Sequence, residues 1–118
     1  MTDTFDDCVF CGIVSGSIPA DVVFRSGHSV AFRDLNPQAP VHVLVVPIRH
    51  IQDAGTLGST DSEALLDLFM TARQVADNEG VAEGGFRLLF NVGEDAQNSV
   101  PHLHLHVLGG RKLGWPPG

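Results

Sequence analysis

Basic side chains are scarce in this sequence of 118 residues, which has 7 lysines and arginines against 14 aspartates and glutamates. Its largest basic cluster is the pair Arg111-Lys112. Proteins that bind DNA, RNA or anionic membranes normally carry a basic stripe that displaces counterions. The net charge of −7 therefore argues against such partners. A single nucleotide stays compatible, because backbone N–H groups, hydroxyls and histidines can hold one or two phosphates.

Long hydrophobic runs and signal-like segments are also missing. No stretch approaches the ~20 apolar residues of a transmembrane helix, although 43% of the residues are hydrophobic. The N-terminal segment MTDTFDDC is acidic and lacks the basic start and the apolar run of a signal peptide. We therefore expect a single cytoplasmic domain that spans residues 1–118.

Cysteine is limited to Cys8 and Cys11, which form a C-x-x-C pair. In a reducing compartment such a pair is typical of a metal half-site or a redox couple rather than a structural disulfide. A redox role would need a preceding strand, whereas this pair follows a short polar segment. Two histidines brought in by the fold would complete a closed Cys₂His₂ site of the structural type.

The hydrophobic pattern predicts an α+β fold, with a mainly antiparallel sheet of about five strands, one long helix and a short N-terminal helix. The expected strands cover residues 22–25, 30–33, 41–46, 86–91 and 104–108. The short helix is expected near residues 10–15. Thr60 and Glu63 fit a capping box at the start of the long helix, and Gly80 can end it.

The segment PHLHLHVL places His102, His104 and His106 on alternate positions. In an extended strand the three apolar residues between and after them would face the core, and the histidines would share the other face. A metal site, a catalytic surface, a pH sensor and a solvated face are all compatible with this pattern.

Geometry and chemistry rank these alternatives. Three such rings spread over ~13 Å along a straight strand, which is awkward for a zinc ion with Zn–N bonds of ~2.0–2.1 Å. A neutral imidazole is a good nucleophile toward phosphorus when an acceptor holds its second nitrogen. Neighbouring histidines can donate to the phosphate oxygens.

The segment HLHLHVL resembles the signature of the histidine triad (HIT) superfamily of nucleotidyl hydrolases and transferases. DLNPQAPVHVLVVPIRH, NVGEDAQNSVPHLHLHVLGGR and the final WPPG resemble its Hint branch, the purine nucleoside phosphoramidases. Together with the C-x-x-C pair, the resemblance covers most of the chain. His106 favours the hydrolases, because a glutamine there would suggest the transferase branch.

The resemblance implies hydrolysis of the P–N bond of a nucleoside 5′-phosphoramidate, such as AMP linked to an amine, or of an aminoacyl adenylate. His104 would attack the α-phosphorus and form a nucleotidyl-histidine, and His106 would donate to the phosphate. His42 would support His104 through a hydrogen bond. The alternative function is a nucleotide- or partner-binding module with little catalytic activity.

The implied nucleotide site combines polar and apolar residues. Asp34 would accept from the ribose hydroxyls, and Asn91 and Ser99 would lie near the phosphate and the leaving group. The base would contact an apolar group, namely Phe10, Ile13, Ile18, Phe32 and Leu35.

One segment departs from the family pattern. Where the family usually has Gly-Gly-Gln, this chain has Ala96, Gln97 and Asn98, which makes a less open phosphate loop. Gln97 would then donate its backbone N–H to the substrate or reach the leaving group with its side chain.

The resemblance also implies one structural zinc per chain, held by Cys8, Cys11, His50 and His102. Only the first histidine of the triad would then serve the metal. Family members are typically homodimers, and the C-terminal tail with Trp115 would reach toward the partner's site.

Overall fold

The computed structural model describes residues 7–118 and shows five strands and two α-helices in this range. In chain order they are α1 (Val9–Ser15), β1 (Val22–Arg25), β2 (Ser29–Arg33), β3 (Val41–Pro47), α2 (Ser62–Asn78), β4 (Phe86–Leu89) and β5 (Leu105–Gly109). The strands form one sheet of order β1-β2-β3-β5-β4, in which all neighbours are antiparallel. The predicted α+β fold is confirmed.

The two faces of the sheet bury different sets of side chains, because residues alternate along each strand. Toward α2, the core contains Ala31, Val43, Val45, Leu105 and Val107 from the sheet and Leu68, Ala72 and Val75 from the helix. Toward α1, it contains Val30, Phe32, Leu44 and Val46 from the sheet and Phe10, Cys11 and Ile13 from the helix. His106 pairs with Leu44, and His42 lies two residues before Leu44 on the same strand, so both histidines share the α1 face.

The histidine segment is only partly a strand. β5 begins at Leu105, one residue later than predicted, and His102 and His104 precede it. The backbone N–H of Leu103 donates to the Ile51 carbonyl rather than to β3, at 2.6 Å. Leu103 is nevertheless buried in the predicted core with the following alternate residues. Likewise β4 ends at Leu89, two residues earlier than predicted.

The ends of α2 were predicted with unequal success. A 3₁₀ turn, Ser59–Asp61, precedes the helix, and the N-cap residue is Asp61. The predicted capping box of Thr60 and Glu63 is therefore wrong, because Thr60 lies within that turn. At the other end Gly80 has φ 76°, and the Val81 N–H donates to the Ala76 carbonyl. Such a left-handed glycine ends the helix as predicted.

Among residues 7–118, no helix is both long enough and apolar enough to cross a lipid bilayer.

Leu68 provides a test of the core on the α2 side, where its side chain is fully buried. We expect Leu68→Ala to lower the free energy of unfolding by about 2–5 kcal/mol, because it removes buried methyl groups and leaves a cavity. Urea denaturation measures this change. Leu35→Ala is the matched control, since Leu35 is 99% exposed and should lose less than about 0.5 kcal/mol. Equal losses would contradict the packing described.

Candidate active site

A cleft of about 330 Å³ opens between α1, the end of β2 and the histidine segment. Its lining includes all eleven residues predicted for nucleotide binding: Phe10, Ile13, Ile18, Phe32, Asp34, Leu35, Asn91, Gln97, Ser99, His104 and His106. The cleft is therefore built from segments that are far apart in the sequence. Its volume lies within the usual range for small-molecule sites, about 300–1,000 Å³.

The apolar wall of the cleft is also part of the core. Phe10, Ile13 and Phe32 are buried, and the rings of Phe10 and Phe32 meet edge to face with centroids 5.4 Å apart. Leu35 differs, because its side chain is 99% exposed at the cleft. A large exposed apolar side chain beside a rigid apolar wall suits a flat hydrophobic ligand that covers it.

His42 is buried behind the cleft and bonds to His106. Its Nε2 lies 2.9 Å from His106 Nδ1, and its Nδ1 accepts from the Gln38 N–H at 3.0 Å. The predicted hydrogen bond from His42 to His104 is therefore wrong. The reason is the register of β3 with β5, which places His106 opposite Leu44, diagonally next to His42 on the same face.

His104 makes a different contact. Its Nδ1 lies 2.7 Å from the backbone carbonyl of His102. A carbonyl can only accept, so Nδ1 is the donor, and in the tautomer with this single ring proton Nε2 has a lone pair. His104 is partly buried, and its ring meets Phe10 edge to face at 5.1 Å. This contact fixes the ring at the wall of the cleft.

Burial keeps the other two rings neutral. Desolvation is the main cause that lowers the pKa of His106 to about 4, and the nearby His104 and His42 lower it further. Desolvation also lowers the pKa of His42, against an opposing effect of Asp34. Both imidazoles are therefore neutral at pH 7.

The neutral state of His42 and His106 and their hydrogen bonds together determine which nitrogen of each ring carries the proton. The Gln38 N–H occupies Nδ1 of His42, so the proton of His42 is on Nε2 and is donated to His106 Nδ1. The proton of His106 must then be on its Nε2. That atom is buried and has no hydrogen-bond partner among the described residues. The cleft thus contains one imidazole that can attack and one that can donate.

Asp34 follows β2 and has a contact that was not predicted. One carboxylate oxygen accepts from the Asn36 N–H at 2.8 Å, and the other lies 3.4 Å from His42 Nε2. Asp34, His42 and His106 bring three possible ligand atoms within 4.8 Å of one another. The hydrogen bond between the two rings accounts for this grouping without an ion.

The loop at residues 93–98, which departs from the family pattern, is closed by hydrogen bonds between its own backbone groups. Gln97 has φ 60°, which is uncommon for a residue other than glycine. Its N–H donates to the Glu94 carbonyl at 2.9 Å, and the Asn98 N–H donates to the Gly93 carbonyl at 3.1 Å. The expectation that the Gln97 N–H donates to a substrate is therefore wrong, and only its side chain can serve the cleft.

The four predicted metal ligands lie together beside the cleft. Cys8, Cys11, His50 and His102 present ligand atoms that all fall within 4.8 Å of one another. The Sγ atom of Cys8 lies 3.3 Å from His102 Nδ1, and that of Cys11 lies 3.3 Å from His50 Nδ1. His102 is fully buried, and desolvation is the main cause that lowers its pKa to about 4. This cluster could hold a metal ion.

Among the described residues that line the cleft, six were not predicted: Val9, Pro19, Ala20, Arg33, Leu44 and Val100. Four of them adjoin residues that were predicted, so an extension by one position along the chain would have found Val9, Pro19, Arg33 and Val100. Leu44 follows from strand pairing, since it lies opposite His106. Ala20 carried no signal, because a small apolar residue in a loop indicates nothing by itself.

Comparisons with known proteins agree with this architecture. The HIT domain profile matches residues 15–113. A HIT-like protein of Azospirillum brasilense is 45% identical over 116 residues, which cover 97% of this chain and 95% of the relative. A HIT-like protein of Synechococcus elongatus is 45% identical over 115 residues, or 96% of this chain and 98% of the relative.

Solved structures show the same fold. The crystal structure of a HIT family hydrolase from Legionella pneumophila superposes with a TM-score of 0.92 at 46% identity, over 95% of this chain and all of that one. A HIT family hydrolase from Clostridium thermocellum gives 0.91 at 39% identity, over 94% of this chain and 96% of that one. The chain therefore belongs to the HIT domain family and has the fold of HIT family hydrolases.

Proposed function

We propose that this protein is a nucleotidyl hydrolase that cleaves the P–N bond of nucleoside 5′-phosphoramidates, or the corresponding bond of aminoacyl adenylates. The observation that carries this proposal is that one imidazole at the cleft offers a lone pair and a second imidazole offers an N–H. His104 offers a lone pair on Nε2, because its Nδ1–H is held by the His102 carbonyl. His106 offers a buried N–H that has no hydrogen-bond partner within residues 7–118.

These two groups match the two needs of phosphoryl chemistry. His104 Nε2 attacks the α-phosphorus, the P–N bond breaks, and the amine leaves with a proton taken from the solvent. The His106 N–H donates to a phosphate oxygen, where negative charge develops. Water then hydrolyses the nucleotidyl-histidine, which releases the nucleoside monophosphate and restores the imidazole. His42 holds His106 in the donating tautomer.

The walls of the cleft support a proposal for the rest of the substrate. A purine base would lie between the apolar wall of Phe10, Ile13 and Phe32 and the exposed Leu35. The Asp34 carboxylate would accept from the ribose hydroxyls. Ser99 lines the cleft and also two adjoining grooves that both contain Gln52 and Pro101, which supports a role for Ser99 beside the leaving amine.

Replacement of His104 tests the mechanism. We expect His104→Ala to lower kcat for an AMP-amine more than about 1,000-fold, because the nucleophile is lost. Its affinity for AMP, measured by calorimetry, should stay within about ten-fold of the original, since the walls of the cleft remain. His28→Ala is the matched control, because this exposed histidine lies outside the cleft. Near-normal turnover by His104→Ala would refute the proposed nucleophile.

A second function is favoured by the closed loop at residues 93–98. Two backbone N–H groups that would otherwise be available to a phosphate are used within the loop. The protein would then be a nucleotide- or partner-binding module with little catalytic activity. Micromolar affinity for AMP without measurable turnover of an AMP-amine by the unaltered protein would establish this alternative.

We further propose that the cluster of Cys8, Cys11, His50 and His102 holds one structural zinc ion. Bonds of ~2.3 Å to sulfur and ~2.0 Å to nitrogen in a tetrahedron put S and N atoms about 3.5 Å apart. Three of the four S···N distances in the cluster are 3.3, 3.3 and 3.5 Å, and the fourth, between Cys8 and His50, is within 4.8 Å. His102 Nε2 donates to the Pro47 carbonyl at 3.0 Å, which leaves its Nδ1 lone pair toward the sulfurs. A fourth protein ligand leaves no open position, so the ion would be structural.

Removal of the metal separates this assignment from a zinc hydrolase. A chelator should lower Tm by about 5 °C or more, because a closed zinc site stabilises only the folded state. Below that Tm, chelator-treated protein should keep its turnover of an AMP-amine. Cys8→Ser should lower Tm and abolish the effect of the chelator on Tm, and elemental analysis should find one zinc per chain. Lost turnover with an intact fold would instead indicate catalytic zinc.

We also propose that the protein forms a homodimer through β4 and the outer face of α2. β4 lies at one edge of the sheet, where its outer backbone groups can pair with another strand. Beside it, Leu66 is 65%, Phe69 39% and Met70 53% exposed. Phe69 also meets Phe90, just beyond β4, with ring centroids 6.0 Å apart. This ring contact joins the exposed face of α2 to the end of β4, which supports an interface that includes both.

Charge placed on this surface should prevent dimerisation. We expect the double variant Leu66→Glu/Met70→Glu to elute with the mass of one chain in light scattering, because two copies would bring four carboxylates into one apolar interface. The control is Val22→Glu, which adds a charge at the opposite edge strand, where Val22 is 38% exposed. That variant should keep the mass of two chains. A dimeric double variant would exclude this interface.

A further inference from the structure

The proton arrangement at the cleft depends on a loop without regular structure. Residues 34–40 connect β2 to β3 and include Pro37 and Pro40, which have no N–H to donate. Within this loop Gln38 gives its N–H to His42 Nδ1 at 3.0 Å. The position of one backbone N–H therefore decides which nitrogen of His42 carries the proton.

Gln38 is in turn held from the far end of β5. Its carbonyl accepts from Arg111 Nη2 at 2.8 Å. Gly110 makes this approach possible, because it has φ 90° and a Cβ there would lie 2.9 Å from Pro40 Cβ. Arg111 thus reaches back across the loop after β5 has ended, and one residue joins the arginine to the buried histidine.

Arg111 makes few other polar contacts in the described part of the chain. Its other contact is a hydrogen bond from Nη1 to the Lys112 carbonyl at 3.2 Å. Within residues 7–118 it forms no ion pair. It does not line the nucleotide cleft, so it cannot touch a substrate bound there.

A change of tautomer at His42 would reverse the donor and acceptor roles in its hydrogen bond with His106. With Nδ1 protonated, His42 Nε2 would accept from His106 Nδ1 instead of donating to it. The proton of His106 would then leave Nε2, and a lone pair would face the phosphate in place of an N–H. A lone pair on His106 Nε2 would repel the phosphate oxygen that the N–H is proposed to stabilise. The transition state would then lose a hydrogen-bond donor.

We propose that Arg111 is a positioning residue of the reaction, which fixes the donating tautomer of His106 through Gln38 and His42. The role rests on the proposed function, since it concerns the same cleft. It extends the site to a residue that does not line the cleft. The continuous series of bonds from Arg111 to Gln38, His42 and His106 carries the inference.

Arg111→Met tests the role, because methionine keeps an aliphatic side chain but has no donor. We expect kcat for an AMP-amine to fall by about 10-fold or more, with KM changed less than about two-fold, since orientation of a ring is lost and not a substrate contact. Arg111→Lys should restore part of kcat, because an ammonium group can still donate to the Gln38 carbonyl. Lys112→Met removes the same charge from the next residue and should keep the original kcat.

Nitrogen NMR of the histidine rings reads the tautomer without any turnover. In the unaltered protein the ¹⁵N signals of His42 should show a protonated Nε2 and an unprotonated Nδ1, and Arg111→Met should shift them toward a mixture. Unchanged signals, or an equal loss of kcat in Lys112→Met, would overturn the inference. If the unaltered protein has no turnover at all, the proposed function fails, and the ring signals alone then decide the role of Arg111.

Discussion

The antiparallel pairing of β3 with β5 is the constraint on which the cleft depends. Alternate residues of the two strands go to opposite faces, so Val43, Val45 and Val107 pack under α2 while His42 and His106 share the other face. A slip of one residue would move every side chain to the wrong face. The burial of the valines and leucines therefore stabilises the register that brings the two imidazoles to 2.9 Å.

His102 links the cleft to the neighbouring cluster. Its ring lies among the cysteines and donates to the Pro47 carbonyl, while its own backbone carbonyl accepts from the ring of His104. One residue thus belongs to both sites through different atoms. On the proposed function, a metal held by the ring would act on His104 only by keeping this carbonyl in place, which fits a division between structural and reacting histidines.

The sequence allowed the fold to be predicted from the alternation of apolar residues, and eleven residues of the cleft lining from the resemblance of its motifs to those of the family. The partners within the cleft could not be predicted in this way. His42 bonds to His106 because of strand register, and the Gln97 N–H is used by Glu94 because of a local turn. The helix start at Ser62 was missed for a similar reason. Asp61 accepts from the Gly58 N–H and pairs with Arg49, a contact with the segment after β3 that helix patterns do not report.

The electrostatics of the cleft restrict the substrates that suit it. Arg33 is the sole cationic side chain among the described residues that line it, and its guanidinium is paired with Asp21 and Glu79. The phosphate would therefore meet neutral imidazoles and not cations, in a chain with a net charge of −7. Neutral donors stabilise a singly charged phosphoryl group at a small desolvation cost, but they do not compensate the several charges of a di- or triphosphate. On the proposed function, the same physics that keeps His106 neutral favours a monoanionic phosphoramidate over a nucleotide with a polyphosphate chain.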